Sequence, residues 1–258
     1  MDTIELAIAR GRGSDRLGTA FLGGYTAAIL ALDPTLGPEE RGALCATEAG
    51  GGHPRAIQTS LVDGRLSGTK YFVSGGASAT VLLVVAKVGE RDGRPELRVA
   101  RVRSPSPGLT IEPGTPLDFI PEVPHGSVTF EQTPVDAVLE GDGYERYLKP
   151  FRTIEDLHVF GAVVGCLLAN GKGIPHETQE GLLASLAAIQ QLGRQSPSSA
   201  QTHLALAGVL RSARALIDTL QAAHFEAGFW ARFERDRRLL DIAQKVREAR
   251  RQKAWEVE

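Results

Sequence analysis

Two cysteines in 258 residues leave this chain little thiol chemistry. Cys45 and Cys166 form no C-x-x-C pair and have no histidine at metal spacing, which argues against a disulfide framework or a thiolate metal site. Both stand among apolar residues and read as buried, inert thiols. The six histidines (His53, His125, His158, His176, His203, His224) include no pair at i, i+3 or i, i+4 and no His-Glu-x-x-His, so no metal is expected. A Gly-x-Ser-x-Gly elbow is missing, which removes the support for serine hydrolase chemistry, and so is a Walker-type phosphate loop. No apolar run approaches the roughly 18 to 20 residues that span a bilayer. The start, MDTIELAIARGRG, lacks a basic patch leading into an apolar core, so a signal peptide is not expected. A net charge of −2 gives no global attraction to nucleic acid or anionic lipid. These absences point to a cytoplasmic protein with neither nucleic acid nor membrane as partner.

What is present is ordinary in amount and ordered in pattern. Apolar residues make up 42%, enough for a substantial core in one large domain or two small ones. Residues 1–18 read as irregular, with Gly11, Gly13 and Gly18 among charges, and 19–32 as an apolar helix stopped by Pro34 and Gly37. From about 42 to 140 the pattern is strand-like. Residues 97–103 alternate with period two, and 80–88 form a continuous β-branched run, as in a strand covered on both faces. Turn residues punctuate these runs at Asp63-Gly64, Asp92-Gly93, 105–108, 113–114 and 121–126. After Gly143 the pattern is helical, with helices expected at about 144–170, 176–193, 200–230 and 236–255. The fold class expected is α+β. A short helical segment (1–41) precedes an antiparallel β-barrel or sandwich (42–140), and a carboxyl-terminal antiparallel four-helix bundle (141–258) completes it.

One stretch carries more than pattern. Residues 45–76 read CATEAGGGHPRAIQTSLVDGRLSGTKYFVSGG: a Thr-Glu and glycine turn, a hairpin, then aromatic-Val-Ser-Gly-Gly. This arrangement resembles the middle β-domain of acyl-CoA dehydrogenases. The segment 129–143, TFEQTPVDAVLEGDG, is similar to that family's exit from the β-domain, and the order of elements is the same. The resemblance covers roughly residues 19–255. It implies an FAD-dependent oxidoreductase acting on the CH–CH bond of an acyl thioester, with acyl-CoA or a related thioester as substrate. On that resemblance Thr47, Gly50, Gly51, Gly52, Phe72, Val73 and Ser74 are the cofactor-binding residues, with Phe72 against the isoalloxazine and Ser74 at its edge. Glu155, ten residues before Gly165, matches the catalytic base of the isovaleryl and long-chain branches. The rival reading of Glu155 is a solvated or salt-bridged helix acid. The family's assembly implies a homo-oligomer, or a hetero-oligomer with another dehydrogenase-like chain.

Several family features are missing. Far fewer residues precede Cys45 than in the family's N-terminal helical domain. The Arg-x-x-Phe-Gly motif that binds the FAD pyrophosphate is absent from 176–205, and so is the late catalytic glutamate loop. The alternative is therefore a catalytically inactive homologue serving as a structural or regulatory subunit. Residues 235–253 hold eight basic side chains opposite an apolar stripe. That pattern reads as an amphipathic bundle helix, with phosphate binding the competing reading. Phe225, Phe229, Trp230 and Phe233 read as bundle or partner packing.

Overall fold

The computed structural model describes residues Asp2–Val257; Met1 and Glu258, the ends of the expected first and last segments, lie outside the described residues. The chain forms two compact units. One comprises Met1–Ala31, Leu117–Glu122 and Phe151–Glu258, and the other Leu32–Pro116 and Val123–Pro150.

The helical unit opens with α1 (Thr3–Arg12) and α2 (Leu17–Leu32). α1 corrects the expectation of irregular chain at 1–18. Asp2 caps it, its carboxylate accepting from the backbone N–H of Ile4 (2.9 Å) and Glu5 (3.1 Å). Gly11, which argued against a helix, is there for packing: a Cβ on it would lie 2.0 Å from the carbonyl oxygen of Ala162. The glycine lets α1 cross the later helix at backbone contact.

The other unit is built on β1 (Gly42–Cys45), β2 (Ser60–Val62), β3 (Arg65–Lys70), β4 (Val81–Arg91), β5 (Arg94–Arg103), β6 (Leu109–Pro113), β7 (Gly126–Pro134) and β8 (Ala137–Val138). The strand order is β6-β7-β3-β2-β4-β5-β8, with β1 pairing β4 off this path. Both expected Asp-Gly turns are two-residue hairpin loops. Asp63 and Gly64 have φ of 48° and 72°, Asp92 and Gly93 of 51° and 70°, the left-handed pair that matches strand twist. The run in β4 is covered as expected, Val81 to Ala86 being fully buried. The expectation of a wholly antiparallel sheet is corrected: β1 and β2 both run parallel to β4, so the curled sheet is mixed. Hairpin turns are local and readable. A parallel pairing between strands separated by a hairpin leaves no local mark. Leu66, Val84, Ala86, Val128 and Phe130 belong to the core of this unit.

After β8 a π-helical stretch, Gly143–Leu148, runs into α3 (Lys149–Asn170). α4 (His176–Leu192), α5 (Ala200–Asp218), α6 (Ala227–Asp236) and α7 (Gln244–Trp255) follow. The long third helix expected over 200–230 ends at Asp218. Beyond it the chain is extended at Gln221 and Phe225. The His224 carbonyl accepts from the N–H of Lys172 (2.9 Å) and Gly173 (3.3 Å). Across this break Phe225 stacks on Phe229 (5.1 Å between ring centroids) and Trp230 (5.6 Å). The expected helix over 236–255 is likewise split, 237–241 being a tight 3-10 stretch. Among the described residues no helix is long and apolar enough to cross a membrane.

Candidate functional site

β1 delivers the chain into a tight turn. The N–H of Glu48 donates to the Gly51 carbonyl (3.1 Å) and the N–H of Gly51 to that of Glu48 (2.8 Å). Gly51 sits at φ 98°, with open space where a Cβ would be. The turn is held from beneath by its own acid. The buried Glu48 carboxylate accepts from the N–H of Gln58 (2.7 Å) and Thr59 (3.0 Å), and from Lys70 Nζ (2.7 Å). Lys70 is fully buried and also donates to the Val85 carbonyl (2.6 Å). Burial draws the Lys70 ammonium below its ordinary pKa, against the opposing pull of Glu48. Burial alone would raise Glu48, but Lys70 and the two backbone donors outweigh it and hold the carboxyl below its ordinary range. The carboxylate accepts three hydrogen bonds and the Lys70 ammonium donates two, and together they tie the turn to β3 and β4.

Leaving β3, the N–H of Tyr71 donates to the Thr47 carbonyl (2.8 Å), which brings the two candidate segments together. Phe72 follows at φ 53° with 77% of its surface exposed. The N–H of Val73 then bonds the Gly126 carbonyl (3.0 Å) and that of Gly75 the Pro124 carbonyl (2.8 Å), which anchors the segment from behind.

Thr47, Gly50, Gly51, Gly52, Phe72 and Ser74 thus share one corner of the sheet. Val73 is placed differently: at 1% exposure its side chain belongs to the core, and only its backbone can serve a ligand. Among the described residues the N–H groups of Gly50, Gly52, Phe72 and Ser74 have no acceptor, nor have the hydroxyls of Thr47 and Ser74 a partner. The sequence reading missed Glu48 and Lys70. The available signal was alternation, since Lys70 shares strand parity with Leu66 and so points inward.

Glu155 lies in the helical unit, on α3. It is half-buried and, among the described residues, has no hydrogen-bond partner. Burial, reinforced by the neighbouring Asp156, pushes its carboxyl up to about 7, while Arg152 and Arg247 oppose the rise. Asp156 is itself buried and clamped from α7 by Arg247 (2.8 Å) and Arg250 (2.6 Å). The basic run at 235–253 is largely neutralised in this way. Arg235 pairs with Glu122 and Asp236, Arg237 with Asp218 and Glu234, Arg238 with Asp118, and Arg251 with Glu248. Both cysteines are buried, and desolvation pushes each thiol up to about 12, which makes them poor nucleophiles.

No protein-family model and no curated protein matches the sequence. Solved structures do match in fold. An acyl-CoA dehydrogenase from Geobacillus kaustophilus superimposes with a TM-score of 0.68 at 15% identity, over 97% of this chain and 81% of that one. FMN-bound TdsC from Paenibacillus sp. A11-2 gives 0.68 at 19% identity, over 95% and 81%. An FAD complex of PigA gives 0.59 at 16% identity, over 95% and 82%. The chain therefore has the acyl-CoA dehydrogenase-like fold.

Proposed function

We propose that this chain is an acyl-CoA dehydrogenase-like flavoprotein, an FAD-dependent oxidoreductase acting on the CH–CH bond of an acyl thioester. The observation that carries this reading is Phe72. A bulky residue at positive φ costs about 1–3 kcal/mol, and such strain concentrates where ligands are held. Phe72 recovers nothing by burial, because its ring faces solvent. A planar ligand stacked on that ring gives the exposed, strained geometry a purpose.

The surrounding groups fit a flavin. Its ring needs a flat apolar support and donors for the acceptor atoms along its edge. Phe72 supplies the support. The N–H groups of Gly50, Gly52, Phe72 and Ser74, with the hydroxyls of Thr47 and Ser74, supply the donors. A bound flavin would take up the hydride from the substrate β-carbon. Glu155 takes the α-proton at its carboxylate. A carboxyl poised near 7 is ionised often enough to accept a proton and basic enough to pull one at neutral pH. The substrate is acyl-CoA or a related thioester, and association is with a second copy or another dehydrogenase-like chain.

A second reading is a catalytically inactive homologue serving as a structural or regulatory subunit. It is favoured by the absence of Arg-x-x-Phe-Gly from 176–205. An absorbance spectrum before and after adding FAD and desalting separates the two. A retained band in the ~450 nm region, bleached by an acyl-CoA in the native protein but not in Glu155→Gln, is expected on the first reading. Colourless protein that retains no added FAD overturns it and leaves the second.

A further inference from the structure

We propose that Glu48 and Lys70 are positioning residues for the flavin, held in the fold for the aim of the glycine turn rather than for stability. The inference rests on the flavin reading of this corner. Three consecutive glycines, Gly50 to Gly52, have wide backbone freedom and no side chains to pin them. The turn's own closure is the pair of backbone bonds between Glu48 and Gly51, and the space beside Gly51 is open. The direction of the N–H groups of Gly50 and Gly52 is therefore set from below. Glu48 makes both closing bonds with its backbone, while its carboxylate is fixed at three points: the N–H groups of Gln58 and Thr59, and Lys70 Nζ. The two ligand segments are also linked twice at adjacent residues. Thr47 and Tyr71 join through their backbones (2.8 Å), and Glu48 and Lys70 through their side chains (2.7 Å). One link lets the segments pivot; two fix their orientation.

The floor beneath the turn is made of groups that do little for stability. A buried ion pair is commonly no more stabilising than an apolar pair of the same volume, yet Lys70 is fully buried and Glu48 nearly so. Thr59, whose N–H is one of the carboxylate's donors, is 1% exposed. Among the described residues its hydroxyl has no hydrogen-bond partner, a cost that valine, of the same shape, would avoid. The same side chain constrains β3: Gly68, at φ 146°, has no room for a Cβ, which would lie 2.6 Å from Thr59 Oγ1. Stability alone does not account for two buried charges and an orphaned hydroxyl under one turn. The best-attested use of buried ionic groups is to fix one arrangement among several. Here the arrangement fixed is that of the donors at the flavin edge.

Glu48→Gln with Lys70→Met removes both charges and leaves the shape of the floor nearly unchanged. On the full chain, fluorescence titration reads FAD binding and amide hydrogen exchange reads local order. In the double variant FAD is expected to bind about tenfold more weakly, the loss of one or two aligned donors. The amides of Gly51 and Tyr71 are expected to exchange about tenfold faster, with those of Val81 to Val84 in β4 unchanged. Wild-type FAD affinity in the double variant overturns the proposal. So does exchange that quickens in β4 as much as in the turn, because the pair would then serve the whole unit. If the wild-type chain itself binds no FAD, the flavin reading fails on its own. Unchanged exchange at Gly51 and Tyr71 then overturns the positioning role as well, and faster exchange confined to them supports it for the corner itself. Should the double variant not fold, Glu48→Asp keeps the charge and draws the carboxylate back by one methylene. With Glu48→Asp folded by circular dichroism, weaker FAD binding is expected, and undiminished binding overturns the proposal.

Discussion

Phe72 joins two facts that a fold alone does not require: a left-handed backbone and an exposed aromatic ring. Replacing it with glycine separates their causes. Glycine adopts φ near 50° without steric cost, and little buried surface is lost. Phe72→Gly is therefore expected to leave stability unchanged or raise it by about 1 kcal/mol, a few degrees in Tm, while retention of flavin falls at least tenfold. Thermal unfolding and the absorbance ratio after desalting check the two halves. A clear loss of stability would show that Phe72 serves the fold instead. The sequence displayed this residue through its neighbours, an aromatic followed by Val-Ser-Gly-Gly, but no pattern shows that a phenylalanine sits at positive φ. Glu155 was legible as an acid at a fixed distance from Gly165. Its raised pKa was not, because burial depends on what packs over α3.

Among the elements, those fixed by neighbours in sequence were legible and those fixed by distant contacts were not. Asp63-Gly64 and Asp92-Gly93 set their hairpins locally, and β4 shows its burial in its own composition. The end of α5 at Asp218 depends on the chain near Lys172, and α1 depends on Ala162 standing against Gly11. The pairing of Glu48 with Lys70 also spans two strands and a turn. It gives an element-scale prediction. Lys70→Met leaves a buried carboxylate without its counter-charge, which costs on the order of 3–5 kcal/mol. Glu48→Gln with Lys70→Met removes both charges, so the double variant is expected to be more stable than the sum of the singles implies by at least about 1 kcal/mol. Urea unfolding of the four proteins measures this coupling. Additive losses would mean that the two residues act apart.

Over the whole molecule, a formal charge of −2 conceals strong local electrostatics. The arginines of 235–253 find acids far away in sequence, at Asp118, Glu122, Asp156 and Asp218, so the run for which phosphate binding was the competing reading is mostly internal pairing. Two groups on α3 should govern how the helical unit responds to pH. His158 is buried, with Nδ1 2.7 Å from the Ile154 carbonyl and Nε2 2.9 Å from the Thr3 hydroxyl. A carbonyl only accepts, so Nδ1 carries the proton and Nε2 accepts from Thr3. Burial pushes this imidazole from an ordinary 6.5 down to about 4. Between those values the unfolded chain binds the proton more readily. The stability owed to His158 is thus full above pH 6.5 and lost as pH falls toward 4. Glu155 does the reverse. Its pKa rises from 4.5 to about 7, so its contribution is full below pH 4.5 and lost as pH climbs through 7. From about pH 4.5 to 6.5 the two slopes oppose and largely cancel, and substitution unmasks each. The stability of Glu155→Gln relative to wild type is expected to grow from near zero at pH 4.5 to about 1–3 kcal/mol above pH 7. That of His158→Gln should fall relative to wild type as pH rises from 4 to 6.5, because the variant lacks the gain that neutral, buried His158 brings. Chemical denaturation of the three proteins across pH 4.5–8 reads both differences. If the Glu155→Gln difference is flat with pH, the carboxyl is not raised in the folded chain, and its case as a base poised near neutrality fails with it.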